Sequence, residues 1–160
     1  VRATIAQRLC DMRRFGQNPT SDQKYRRRPG VYCILLREGS VLTTFQSNPI
    51  PEFQLPGGGI DQGEHPITAL HREVREETGW RIKVQKRLGC YKRFTYMPEY
   101  DLWAEKICHI YLARPVLRLS DPTEQGHEAV WMHPSAALYE LAIDADRFML
   151  RVALNITTRP

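Results

Sequence analysis

Hydrophobic and polar positions follow two different rhythms along this chain. From Val31 to Leu36 the residues read VYCILL, a continuous run of apolar and β-branched side chains that predicts a strand buried on both faces. VLTTF, from Val41, reads as its hairpin partner, because REGS between them supplies Gly39 for a turn. Pro49 and Pro51 interrupt the pattern, and EFQL then leads as a short strand into Gly57, Gly58 and Gly59. At Pro66 the period changes. Ile67, Leu70 and Val74 recur at helical spacing, proline suits a first helical turn, and Gly79 stands where a left-handed C-terminal cap belongs, predicting a helix from Pro66 to Thr78. RIKVQK, LGCYKRF, AEKICHIYLA and EAVWM follow as strand candidates, and helical stretches are expected near Ser135 to Leu141 and Asp144 to Asn155. At the other end, Ala3 to Phe15 reads as a short helix ended by Gly16 and NPTSD. Strands interleaved with a few helices predict an α/β layered fold with a mixed sheet.

Composition narrows the class. A chain of 160 residues suits one domain with one core, and no apolar run approaches the ~18 residues of a membrane span. The stretch VRATIAQRLCDMRRFG lacks the apolar centre of a signal peptide, so an intracellular, cytoplasmic protein is expected. Cys10, Cys33, Cys90 and Cys108 are scattered without a CxxC pair, which argues against a thiolate zinc site and a disulfide scaffold and leaves reduced, buried thiols. The net charge of +5 suits an anionic partner such as a phosphate ester or nucleic acid. Much of that excess is local, in Lys24, Arg26, Arg27 and Arg28, and a charge run is more often a solvated segment than a binding patch. Residues 1–29 accordingly read as a basic N-terminal extension ahead of a single domain at 30–160.

Charge is most crowded in LPGGGIDQGEHPITALHREVREETGW, from Leu55 to Trp80. On the expected helix Glu73, Glu76 and Glu77 are three and four positions apart and share one face. Unpaired, they repel, and they sit toward the C-terminal half, where the helix dipole disfavours anions. Something positive must meet them. Arg72 can pair with Glu76 in an ordinary surface ion pair; alternatively the three carboxylates offer oxygen ligands to a hard divalent cation such as Mg²⁺ or Mn²⁺.

The stretch as a whole resembles the signature of the Nudix hydrolase family. Gly58, five residues, Glu64, seven residues, then Arg72, Glu73, aliphatic Val74, Arg75, Glu76, Glu77, Thr78 and Gly79 follow that pattern without insertion. A chance match of its seven identities is on the order of 10⁻⁶ or less at average residue usage. One position departs: the residue after Gly79 is usually aliphatic and here is Trp80. The resemblance implies a Nudix-like α/β/α sandwich around a central mixed β-sheet. It implies that Glu73, Glu76 and Glu77 hold Mg²⁺ or Mn²⁺, with the Gly57 carbonyl as a further ligand. Arg72 would orient a glutamate, Glu64 would be an outer participant, and Gly58 and Gly59 would let backbone approach a diphosphate closely, although a glycine run also reads as a plain tight turn.

The reaction implied is hydrolysis of a phosphoanhydride, in which metal charge neutralises phosphate oxygens while an activated water attacks phosphorus. The family places its general base variably. Glu73 and Glu128 are the candidates, Glu128 because it lies just before an expected strand; Glu124 is a substitute, and His127 reads as a polar surface residue. Family members cleave nucleoside diphosphates linked to another group: a nucleotide sugar, a nucleoside triphosphate or a dinucleoside polyphosphate. YKRFTYMPEYDLW brings Tyr91, Arg93, Tyr96, Tyr100 and Trp103, which could stack a base and contact phosphate or form strand core and an exposed loop. Subfamilies marked by a Tyr or a Pro past the signature are not separated, because Tyr96 and Pro98 are both present. Arg37 is a further phosphate-contact candidate. Alternative readings are an RNA 5′-end pyrophosphohydrolase with the basic extension as a backbone-binding arm, or a catalytically silent nucleotide-binding regulator. Either a monomer or a homodimer fits.

Overall fold

A computed structural model describes residues 12–157 of the chain. Its strands are β1 (Arg14–Gly16), β2 (Arg26–Arg37), β3 (Ser40–Gln46), β4 (Glu52–Gln54), β5 (Gly57–Gly59), β6 (Trp80–Met97), β7 (Leu102–Arg118) and β8 (His127–Met132). Its helices are α1 (Pro66–Thr78), α2 (Pro134–Glu140) and α3 (Asp144–Thr157). The sheet runs β1-β6-β7-β2-β3-β4, with β5 paired to β2 and β8 to β3. Parallel β2–β7 and antiparallel β2–β3 and β6–β7 pairings make it mixed.

Central strand β2 explains its own unbroken apolar run. Val31, Cys33 and Leu35 pack on Ala69, Leu70 and Val74 of α1, whereas Tyr32 and Ile34 on the opposite face join Ala145, Met149, Leu150 and Ala153 of α3. Helices on both faces of one sheet give the expected α/β/α sandwich. The β2–β3 hairpin turns through Glu38 (φ 48°) and Gly39 (φ 76°), the paired positive angles of a tight two-residue turn. Among the described residues Cys33 and Cys108 are buried, Cys90 is partly buried, and all three are free thiols; no helix there is long and apolar enough to cross a membrane.

Three expectations need correction. RIKVQK and LGCYKRF are a single strand, β6, whose register with β7 shifts between Val84 and Lys86 and again between Arg87 and Gly89, so the glycine marks an irregularity rather than an end. The glycine run is a strand rather than a turn, antiparallel to β2, with Gly57, Gly58 and Gly59 opposite Tyr32, Val31 and Gly30. Arg14 and Phe15 lie in β1, parallel to β6, because Phe15 finds apolar partners there: its ring lies 5.5 Å from Tyr91 and 5.6 Å from Phe148. The rest of that proposed helix, residues 3–11, lies outside the described residues. Arg26, Arg27 and Arg28 form the first rungs of β2, opposite Ala104, Glu105 and Lys106.

α3 also buries Asp146, which accepts hydrogen bonds from the Tyr91 hydroxyl (3.0 Å) and the Leu55 amide (3.4 Å). Burial pushes its carboxyl up to about 6, against the pull of those bonds. The folded chain thus keeps a proton that an unfolded aspartate releases near about pH 4. Between those values the native state binds more protons, so stability falls as pH rises, by on the order of 3 kcal/mol once the group is ionised. Thermal unfolding in chelator from pH 4 to 7 should show this decline in wild type and a flatter profile in Asp146→Asn. An equally steep profile in the variant would assign the decline to other groups.

Candidate active site

α1 is held at both ends. His65 Nδ1 accepts from the Ile67 amide (3.2 Å), Pro66 occupies the first turn, and Gly79 (φ 73°) closes the helix by donating its N–H to the Arg75 carbonyl (2.8 Å). Carbonyls left free at the last turn are taken up by the segment after β7. The Thr123 and Glu124 amides donate to Glu76 O at 2.8 and 3.0 Å, and the Leu119 amide donates to Gly79 O at 2.8 Å. That docking carries the Glu124 side chain to the carboxylates of α1.

On the other flank, β5 passes close to the helix. The Gly57 amide donates to Glu77 Oε2 at 2.9 Å. A Cβ on Gly58 would stand 2.3 Å from Glu73 Oε2, so backbone reaches the carboxylate only because there is no side chain there. Arg72 holds the array together. It donates from Nε and Nη2 to the two oxygens of Glu64 (3.0 and 2.9 Å), from Nη1 to Glu73 Oε1 (2.7 Å), and from Nη2 to Gly59 O (3.1 Å). These bonds hold the Glu64 carboxyl down at about 2.

The remaining charge is poorly compensated. Glu77 is buried, and its desolvation, with Glu124, Glu73 and Glu76 nearby, raises its pKa well above the usual carboxylate range. Glu73 is raised by burial as well, although Arg72 opposes the shift. Ligand atoms of Glu73, Glu76 and Glu124 lie within 4.8 Å of one another, as do those of Glu77, Glu124 and His127. His127 stands between two of these acids, with Nε2 3.5 Å from Glu77 and Nδ1 3.8 Å from Glu124. Buried Nδ1 has no hydrogen bond from the described residues. Carboxylate oxygens gathered this closely, with one arginine already shared by Glu64, fit a hard divalent cation; among the described residues this is an acidic cluster able to hold a metal.

The cluster forms one wall of a cavity of about 380 Å³. Of the residues expected from sequence, Glu64, Arg72, Glu73 and Glu76 are joined by ion pairs beside Glu77, and Glu73 and Glu77 line the cavity with Gly57, Gly58, Gly59, Arg93, Tyr96 and Tyr100. The Tyr96 hydroxyl is hydrogen-bonded to Asp101. Tyr91 is instead core, bonded to Asp146, and Trp103 packs against Tyr25 and Tyr96.

Two candidates lie elsewhere. Arg37 has its guanidinium 5.0 Å from the Trp80 ring and 4.7 Å from the Trp131 ring, which accounts for the bulky residue after Gly79. Glu128 sits on β8 opposite Phe45 and is exposed. Successive strand residues face opposite ways, so His127 shares the α1 face with Ala129 and Trp131 and Glu128 does not. His127 and Glu124 therefore join the acidic cluster, where a polar surface histidine and a secondary glutamate were expected. The signal was available in strand phase: once Trp131 is taken as packed toward α1, His127 follows at period two.

Geometry and spacing meet in one further observation: residues 26–152 match the NUDIX domain family model. The chain belongs to the Nudix family. This Nudix chain is 29% identical over 120 residues to the CMP-5′-(N-acetyl-N-hydroxy-3-aminopropyl)phosphonate hydrolase of Streptomyces rubellomurinus, covering 71% of itself and 55% of that protein. It is 46% identical over 54 residues to an RNA pyrophosphohydrolase of Cereibacter sphaeroides, covering 32% of itself and 33% of the relative. Its matches thus span about half or less of the length of these curated relatives. A Nudix hydrolase from Nitrosomonas europaea shares the fold at a TM-score of 0.68 and 16% identity, over 84% of this chain and 93% of the other.

Proposed function

We propose that this Nudix chain hydrolyses a phosphoanhydride bond of a nucleoside diphosphate linked to another group, with Mg²⁺ or Mn²⁺ held by Glu73, Glu76 and Glu77. The observation that carries this reading is the under-compensated carboxylate cluster on a wall of the cavity, where a single Arg72 is shared among Glu64, Glu73 and Glu76. A bound divalent ion there supplies positive charge to the phosphate oxygens and makes water more acidic.

The chain's own residues do the rest. Glu64 fixes Arg72, and Arg72 fixes Glu73. Gly57 holds one oxygen of Glu77, leaving the other toward His127. Glu124, anchored through its backbone to the end of α1 and by the His127 amide, which donates to Glu124 O at 3.3 Å, is the base that takes a proton from the attacking water. The water oxygen bonds to phosphorus as the bridging P–O bond breaks, and the leaving phosphate departs as an anion.

Glu124→Gln should lower kcat by about 10²- to 10⁴-fold with an unchanged melting temperature, whereas Glu128→Gln should match wild type. Near-normal kcat in Glu124→Gln, or the same loss in Glu128→Gln, overturns this assignment of the base. The reaction itself is tested by product release from nucleotide sugars, nucleoside triphosphates, dinucleoside polyphosphates and 5′-triphosphorylated RNA, with Mg²⁺, Mn²⁺ or chelator. Metal-dependent cleavage of one class is expected, and no cleavage of any rejects the reading. The RNA arm is included because Arg28 lines the cavity next to Arg26 and Arg27, so that a basic strand end meets the cavity mouth.

A further inference from the structure

The cavity that carries the acidic cluster also contains a row of positive charge. Arg28 of β2 is the register partner of Lys106 of β7, and Lys106 is the register partner of Arg93 of β6. The three cations occupy one rung across three adjacent strands, all partly buried and all lining the cavity. They lie on the sheet face that carries Tyr32, Cys108 and Tyr91, following strand alternation. Like charges directly opposite one another across strands destabilise a sheet, and removing them from water adds to that cost.

Among the described residues they have no ion-pair partner, although the charge of the buried Asp146 carboxyl reaches Lys106 and Arg93. Neighbouring Arg27, by contrast, pairs with Glu105 at 3.1 Å. Among the described residues Lys106 Nζ donates to the Tyr32 hydroxyl (3.0 Å) and Arg93 to the Thr95 hydroxyl (3.4 Å), and the Arg28 guanidinium lies 4.7 Å from the Tyr100 ring. Of the acids close by, Asp146 accepts from Tyr91 and Leu55, Glu52 accepts from Gln46 and Gln54, and Glu99 lines the cavity without pairing with any of the three cations among the described residues. Two guanidinium forks flanking an ammonium, with hydroxyls at hand, match the oxygens of a phosphate.

We propose that the Arg28, Lys106 and Arg93 row binds a substrate phosphate other than the two flanking the cleaved bond. The chain then prefers nucleotides with three or more linked phosphates over nucleoside diphosphates whose second substituent is uncharged. This rests on the hydrolase reading above for its catalytic consequence, but the anion site itself does not. A neutral substituent would leave the row without an ion-pair partner, which is how the cavity discriminates against it.

Two measurements test the proposal. Calorimetric binding of inorganic tripolyphosphate in chelator should be detectable in wild type and weakened about tenfold or more in Arg93→Gln/Lys106→Gln, with Lys106→Arg recovering most of it. The melting temperature of the double variant should be retained or raised, since mutual repulsion is removed. The ratio of kcat/KM for a dinucleoside tetraphosphate to that for a nucleoside diphosphate sugar should fall about tenfold or more in the same variant, mainly through KM. Undiminished tripolyphosphate binding in the double variant, an unchanged selectivity ratio, or no binding by wild type overturns the inference. No turnover of either substrate with tripolyphosphate binding intact rejects the hydrolase reading and leaves the phosphate row standing.

Discussion

Glu77→Gln is expected to lower metal-dependent turnover by about 10³-fold or more, roughly 4 kcal/mol of lost transition-state stabilisation, with no loss of folded protein. Glu77 is only 6% exposed, has the strongly raised pKa of a desolvated acid among acids, and receives the Gly57 amide at 2.9 Å. Glutamine has the same shape, and its carbonyl oxygen can still accept that amide. The substitution therefore removes a metal-binding charge without opening a cavity. It also removes a charge whose burial costs stability in the metal-free chain, so the melting temperature in chelator should hold or rise. Because cation binding must displace the proton that burial favours, metal affinity of wild type should climb as pH rises. Near-normal kcat in the variant, or a loss explained by unfolding, would remove Glu77 from the metal assignment.

Gly57→Ala acts on the fold and the site together. A Cβ there would stand 2.1 Å from Val31 O and 2.6 Å from Tyr32 Cα, at φ 143°, a conformation that side chains rarely adopt. Both obstacles are backbone of the central strand, which cannot swing aside as a flexible side chain would. Strain and overpacking of this kind sum to about 2–6 kcal/mol, and a domain of this size loses about 2–4 °C per kcal/mol, so a drop on the order of 5–20 °C is expected. Activity should fall further, because the Gly57 amide that fixes Glu77 would shift. Gly59→Ala is the internal control: a Cβ there meets nothing within 4 Å, and its melting temperature should match wild type. Equal stability of the two variants would contradict the close packing of β5 on β2.

What could be read from sequence was local. Helix α1 was legible because its proline, apolar spacing and capping glycine lie within one stretch of chain, and Glu73, Glu76 and Glu77 sit on it. β2 was legible because burial on both faces leaves a run with no polar positions. Readings failed where the answer depends on residues far along the chain. Arg37 was a phosphate-contact candidate, but its exposed guanidinium lies against Trp80 and Trp131, which the sheet brings together away from the cavity. Glu128 and His127 differ by one position, and strand phase sends one toward α1 and the other away, which a loop reading of EQGHEAVWM could not distinguish. Arg28 looked like part of a solvated run, and only the register with Lys106 and Arg93 turns it into part of a cavity wall.

The proposed reaction requires a divalent cation bound by the helix carboxylates. Electron paramagnetic resonance of free Mn²⁺ titrated with protein measures that binding directly, without reference to any substrate. Wild type should deplete the free-ion signal and Mg²⁺ should restore it, while Glu73→Gln/Glu76→Gln/Glu77→Gln, folded by circular dichroism, should leave the signal intact. Equal depletion by the two proteins would contradict the assignment of these three carboxylates as the metal site.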